Sequence, residues 1–257
     1  MSDYDGYVLC GTPRTGSTLL CDMLASMGTA GSPDSYFQNT FSRYWLKAWD
    51  LPERAFVPGD VFDRLYLDHV LAEGRAGTPV FALRLMRADV EGLTGMLGRL
   101  HPGLPDDRAR LKAAFGRLAY IHLSRQDTLA QAVSYLRARQ TGLWHKAPDG
   151  SEIERLAPQE PEGYDYHRIA AQLAEFETLA AAWDPWFDAQ GITPLRIAYE
   201  DLAEDPPGAL ARIAAKLGLP APKNVQVGVA RLSDATSADW IARFRRDRAA
   251  RTVSGSA

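Results

Sequence analysis

A chain of 257 residues, 46% hydrophobic and 24% charged, can bury one sizeable core and has the balance of a soluble globular protein. Its 29 Lys and Arg stand against 32 Asp and Glu, a formal net charge of −3, which excludes a surface-wide basic field for nucleic acid or anionic membrane but leaves room for local anion sites. The acidic, polar start lacks the charge and apolar run of a signal peptide, and no stretch is apolar enough to span a bilayer. With Cys10 and Cys21 in no metal or disulfide pattern, a cytoplasmic, disulfide-free protein is expected.

Along the chain, apolar runs and helical periodicity alternate. Residues 7–10 predict a strand, followed by a glycine-containing loop and a helix over 17–27. A second strand is expected at 80–85 with a helix over 89–100, and a third at 119–123 with a helix capped by Asp127 and running to 141. Residues 164–190 predict one long amphipathic helix bent near Pro185, before a fourth strand at 194–199. A helix over 207–217 closes at Gly218 and Pro220, and the last helix spans 238–250. The segments 33–59 and 101–108 read as irregular, and 145–162 is rich in Pro, Gly and Glu. These suit acceptor-binding loops or lids better than separate domains, so one domain is expected over 1–250, with 251–257 a flexible tail.

Short apolar strands separated by helices indicate an α/β fold with a mainly parallel sheet flanked by helices on both faces. Ligands on such sheets bind beyond the carboxyl ends of the strands, so the loops after Cys10, Leu123 and Tyr199 should face the site.

The first of these loops is Gly11-Thr12-Pro13-Arg14-Thr15-Gly16-Ser17-Thr18. Between a strand and a helix, such a run turns successive backbone N–H groups toward one point, where the helix N-terminus adds partial positive charge. It also suits an ordinary tight turn with Ser17 as the helix cap. A nucleotide triphosphatase would carry Lys after the second glycine, where this chain has Ser17, and its cation comes earlier, at Arg14. The third strand ends in Ser124 and Arg125, with no obvious carboxylate for a magnesium ion. Arg125, Asp127 and Ser134 form a second constellation. An Arg leaving a strand end and a Ser on the following helix can grip one phosphate together, or be a surface pair and a solvated hydroxyl.

Together these segments resemble the PAPS-dependent sulfotransferases, most closely the bacterial type represented by trehalose 2-sulfotransferase. The resemblance covers nearly the whole chain: the run 11–20, Gly31-Ser32-Pro33-Asp34-Ser35-Tyr36-Phe37, Leu123 to Asp127 with Gln131 to Tyr135, Arg139 to Trp144, and Asp239 to Arg246. It implies a P-loop-containing NTPase-like sulfotransferase fold and a homodimer. It also implies PAPS (3′-phosphoadenosine 5′-phosphosulfate) as donor, PAP as product, and no metal. By that resemblance Thr12, Pro13, Arg14, Thr15, Gly16, Ser17 and Thr18 hold the 5′-phosphosulfate, and Arg14 stabilises charge on the bridging oxygen. Arg125 and Ser134 bind the 3′-phosphate, and Arg231 lies where a C-terminal loop closes over the nucleotide.

One position departs from the pattern. The post-helix loop of that type carries Glu as the proposed base, and Ser35 stands there instead. Asp34 is carried as the candidate catalytic carboxylate, with a plain turn residue as its other reading, and His145 is a further possible base. The aromatics Tyr36, Phe37, Phe41, Tyr44, Trp45 and Trp49 fit either an acceptor pocket or packing, and Arg84 and Arg87 either face the acceptor or are solvated. Arg243, Arg245, Arg246, Arg248 and Arg251 read mostly as a solvated helix face. The expected function is sulfuryl transfer from PAPS to a hydroxyl of a small carbohydrate, glycolipid or related metabolite. A P-loop kinase or other NTP-binding protein, or a non-catalytic PAP-binding relative, is the alternative.

Overall fold

In the computed structural model, which describes residues 3–146, 149–222 and 234–254, the first strand β1 (Gly6–Gly11) is buried along its whole length. The loop after it leads into α1 (Ser17–Ser26), and α2 (Arg43–Ala48) and α3 (Gly59–Arg75) precede β2 (Phe81–Met86). Then come α4 (Val90–Leu100), α5 (Asp107–Phe115), β3 (Leu118–Ser124), α6 (Thr128–Thr141) and the strands β4 (Leu143–Lys146) and β5 (Glu152–Arg155). The helices α7 (Tyr166–Ala181) and α8 (Trp183–Ala189) lead to β6 (Leu195–Ala198), α9 (Tyr199–Glu204), α10 (Pro206–Leu217) and α11 (Ala235–Ser254).

The main sheet has the order β2-β1-β3-β6 and every pairing in it is parallel, with Cys10 opposite Leu85 on one side and His122 on the other. Side-chain alternation along β1 divides the core. Val8 and Cys10 join the cluster under α3, α4, α5 and α8, while Tyr7 and Leu9 join the one under α1 and α10. A third cluster binds α6, α7 and α11, where Val133, Phe176, Trp240 and Phe244 meet. The expected α/β architecture is therefore present, and its two-sided burial is why β1, β2 and β3 read as largely apolar runs. No helix among the described residues is long and apolar enough to cross a membrane.

Several boundaries differ from the sequence reading. The stretch 164–190 is two helices that part at Ala182, not one bent at Pro185. Pro185 lies in the first turn of α8, where its missing N–H has no intrahelical partner to lose, so it suits the start of a new helix. The helices α3 and α5 are absent from the sequence reading. In α3 the inward stripe Phe62, Tyr66, Val70 and Gly74 runs beside buried Asp63, which takes Arg99 at 2.7 Å and Arg54 at 3.5 Å. In α5 only Leu111 and Phe115 are buried, too few to set a period. The segment 145–162 contains half of an antiparallel hairpin, β4 with β5, and the last helix continues to Ser254.

His122 on β3 is 8% exposed and packs against the rings of Trp183 and Phe187, with Arg196 Nη1 at 3.0 Å from its Nδ1. Burial, helped by Arg196, pushes its pKa down to about 4 from an ordinary value of 6.5. The unfolded chain therefore binds a proton more readily than the native one as pH falls below about 6.5, and the protein loses stability until both states are protonated near pH 4. A loss of up to about 3 kcal/mol is expected across that window. Thermal unfolding at pH 7 and pH 4.5 checks it, with His122→Gln flattening the difference.

Candidate active site

The loop 11–16 leaves β1 and turns back into α1 through two left-handed residues, Arg14 at φ 65° and Gly16 at φ 81°. Such alternation curls successive N–H groups around a concavity suited to an anion. Gly16 is the N-cap of α1 and brings no side chain to cap it, so the first-turn N–H groups of α1 face the same concavity. A Cβ at Gly16 would lie 2.6 Å from the Tyr199 ring, so only glycine fits. Ser17 is thus the first helical residue and not the cap.

A non-glycine residue at positive φ costs about 1–3 kcal/mol and persists only where neighbours hold it. Around Arg14 they do. Gln131 on α6 donates to Thr12 Oγ1 (2.9 Å) and to the Pro13 carbonyl (2.6 Å), and Arg125 Nη1 donates to the Arg14 carbonyl (3.0 Å). Thr15 Oγ1 closes the turn onto the Thr12 carbonyl at 2.8 Å, and Trp183 Nε1 donates to the Gly11 carbonyl at 3.1 Å.

Three guanidinium groups surround this loop. Arg14 Nε donates to Ser134 Oγ at 3.1 Å and its Nη1 to the Trp144 carbonyl at 2.8 Å. Burial and the neighbouring Arg125 lower its pKa to about 10, which still leaves it charged at neutral pH. Arg125 stacks on the Tyr199 ring at 4.5 Å. Arg84 on β2 bonds Thr18 Oγ1 (2.9 Å), Ser35 Oγ (2.9 Å) and Asp34 Oδ1 (2.7 Å). The fold thus brings Arg14, Arg125 and Ser134, far apart in sequence, to one place.

Asp34 lies beside that place, with its Oδ1 engaged by Arg84. Its Oδ1 also accepts from the Ser35 N–H at 2.6 Å, and its carbonyl accepts from the Arg84 N–H at 3.1 Å. Tyr36 and Phe37 are 0% and 1% exposed and belong to the core, so they line no acceptor pocket, whereas Tyr44 is 70% exposed. Trp45 and Trp49 stack on each other at 5.0 Å, and Phe41 packs edge-on to Phe62 and Tyr66. Arg87 is held by Glu91 at 2.6 Å and the Ala182 carbonyl at 3.2 Å. On α11, Arg243 and Arg251 lie over Tyr164 and Tyr166. Arg231 lies outside the described residues.

The hairpin adds a further pair: His145 Nδ1 meets Glu154 Oε2 at 2.6 Å. That hydrogen bond holds the Glu154 carboxyl below the usual range against the cost of its burial, and Arg84 and Arg14 act in the same direction. Across from it, burial raises the Asp22 carboxyl on α1, opposed by His145 and Arg84.

Gln131, Tyr199 and Glu154 have no role in the sequence reading. Tyr199 could have been found from its place at the carboxyl end of the fourth strand. Gln131 lies one turn before Ser134, on the same helical face. Nothing local in the sequence pairs Glu154 with His145, because their contact depends on the β4–β5 register.

Residues 6–247 match the family model described as Stf0 sulphotransferase. Among known proteins, the chain is similar to "Trehalose 2-sulfotransferase" of Mycobacterium tuberculosis (strain Erdman), 28% identical over 265 residues, covering 93% of this chain and 94% of that protein. It is also 28% identical to the protein of the same name from Mycolicibacterium smegmatis, over 96% and 97% of the two chains. Among solved structures, it resembles the sulfotransferase domain of the Synechococcus PCC 7002 olefin synthase, at 17% identity and a TM-score of 0.44 over 95% of this chain and 89% of that one. A sulfotransferase from Alicyclobacillus acidocaldarius gives 15% identity and a TM-score of 0.43, covering 96% and 93%.

Proposed function

The chain belongs to the Stf0 sulphotransferase family and is a transferase of sulfuryl groups, and from that premise we propose that it moves the group from PAPS to a hydroxyl of a small carbohydrate, glycolipid or related metabolite. The observation that carries this reading is the convergence of Arg14, Arg125 and Ser134 on one left-handed loop whose helix N-terminus has no side-chain cap. PAPS has a phosphate at each end of its ribose and needs two anion grips close together. The backbone N–H groups of 12–16, with Ser17 and Thr18, suit the 5′-phosphosulfate, while Arg125 and Ser134 suit the 3′-phosphate. Arg231 is retained as a weaker phosphate contact by resemblance alone.

In this mechanism the loop holds the donor so that an acceptor oxygen can attack sulfur in line with the departing phosphate oxygen. Arg14, already desolvated and charged, neutralises the negative charge that grows on that oxygen as the S–O bond breaks. The Ser134 contact links its position to occupancy of the 3′-phosphate grip. Asp34 orients Arg84, and through it Thr18, and so has a positioning role. The reading also carries a homodimer and a cytoplasmic enzyme.

Two relatives are named for trehalose, so trehalose is the first acceptor to offer. Incubation with radiolabelled PAPS should give a labelled disaccharide sulfate. Label appearing on another hydroxyl compound of a polar metabolite extract would keep the donor and replace the acceptor. Failure of any label to leave PAPS, together with failure to bind PAP, would overturn the reading.

A further inference from the structure

Sulfuryl transfer releases a proton from the acceptor hydroxyl, and the two residues of the post-helix loop are poorly placed to receive it. Ser35 Oγ accepts from Arg84 Nε at 2.9 Å, and a hydroxyl is no base at neutral pH. The Asp34 carboxylate is ion-paired to Arg84 at 2.7 Å and takes the Ser35 N–H as well, so its Oδ1 is committed to holding Arg84 and the loop. The β4–β5 hairpin brings a different pair beside the loop that follows β1. Trp144, the residue before His145, accepts from Arg14 Nη1 at 2.8 Å, so β4 is tethered to the cation assigned to the leaving oxygen. The His145 side chain is 16% exposed, so its ring still reaches solvent.

A histidine whose Nδ1–H donates to a carboxylate has its tautomer fixed, with the lone pair on Nε2, and the carboxylate stabilises the imidazolium that forms on protonation. His145 Nδ1 lies 2.6 Å from Glu154 Oε2. Arg14 and Arg84 both act electrostatically on Glu154, and His145 acts on Asp22 of α1, so the pair lies among the charges that frame the loop.

We propose that His145, oriented by Glu154 across the β4–β5 hairpin, is the base that takes the acceptor's hydroxyl proton in this chain, in place of the carboxylate absent at Ser35. This rests on the sulfotransferase reading above. The O–H bond of the acceptor gives its proton to His145 Nε2, the acceptor oxygen forms the new bond to sulfur, and the bond from sulfur to the phosphate oxygen breaks with its electron pair on PAP. Arg14 meets that charge. The imidazolium, paired with Glu154, releases its proton to solvent after the sulfated product leaves. The groups facing His145 are Glu154 from β5 and Asp22 from α1, with Arg14 and Arg84 beyond Glu154.

Two measurements test this on the full chain. With PAPS and a polar metabolite extract as acceptor source, His145→Gln should lower label transfer at least about 100-fold while the dissociation constant for PAP stays within about threefold. Glu154→Gln should also lower label transfer, because the carboxylate that fixes the Nδ1–H tautomer of His145 is gone. Imidazole added to His145→Ala should restore part of the rate. The second measurement needs no acceptor: nitrogen NMR of the PAP complex should show His145 protonated on Nδ1 and bare on Nε2. Near-normal turnover in His145→Gln, or protonation on Nε2 in the neutral ring, overturns the proposal. Loss of PAP binding in the wild type would instead overturn the site reading beneath it.

Discussion

Replacing Arg14 by alanine is expected to lower kcat by about 100- to 1,000-fold while PAP affinity changes by less than about tenfold. The asymmetry follows from what the guanidinium does in the unliganded protein. It is half-buried, still charged, and already held by Ser134 Oγ and the Trp144 carbonyl, so it makes little new contact when a ground-state donor arrives. Its contribution grows only as negative charge develops on the leaving oxygen, and an interaction that strengthens in the transition state appears in kcat. Arg14→Lys should recover only part of the loss, because a lysine cannot hold Ser134 and Trp144 with a planar fork while reaching a third acceptor. Steady-state rates beside calorimetric PAP titrations separate the two effects. Equal losses in rate and affinity would reassign Arg14 to simple donor binding.

Arg125→Ala should show the opposite pattern in binding, with PAP affinity falling by about 30- to 1,000-fold, equivalent to about 2–4 kcal/mol. The side chain leaves the end of β3, stacks on Tyr199 at 4.5 Å and donates to the Arg14 carbonyl at 3.0 Å. Its removal therefore takes away the cation proposed for the 3′-phosphate and also one of the bonds that hold Arg14 at positive φ. Arg125→Lys separates these contributions, since it keeps the charge but loses the flat contact with the ring. If the loss is chiefly in the 3′-phosphate contact, adenosine 5′-phosphate should bind wild type and Arg125→Ala about equally.

Much of this architecture is written locally in the sequence. Strands β1, β2 and β3 are largely buried, so 7–10, 80–85 and 119–123 read as apolar runs, and 194–199, of which only Ile197 is buried, lies within a residue of its strand as they do. The loop between β1 and α1 is legible because Gly16 has to be glycine against Tyr199, and because a strand and helix flank it. Asp127 is legible as a cap, accepting from the Ala130 N–H at 2.8 Å. The partners of the site residues are not. Ser134 on Arg14, Gln131 under Thr12 and Pro13, and Arg84 on Asp34 join positions 50 to 120 residues apart, and no local period encodes such distances. Tyr36 and Phe37 show the converse. Their composition suits a sugar-stacking wall, yet the packing of α3 and α4 over the sheet takes them into the core.

Calorimetric titration of PAP in the presence of EDTA tests the proposed metal-independent site for a nucleotide bearing phosphates at both the 3′ and 5′ positions. Stoichiometric binding of PAP is expected, at least about 100-fold tighter than adenosine 5′-phosphate, with Arg125→Ala abolishing most of that preference. No heat with PAP, or binding of ATP that requires magnesium and exceeds that of PAP, would contradict it.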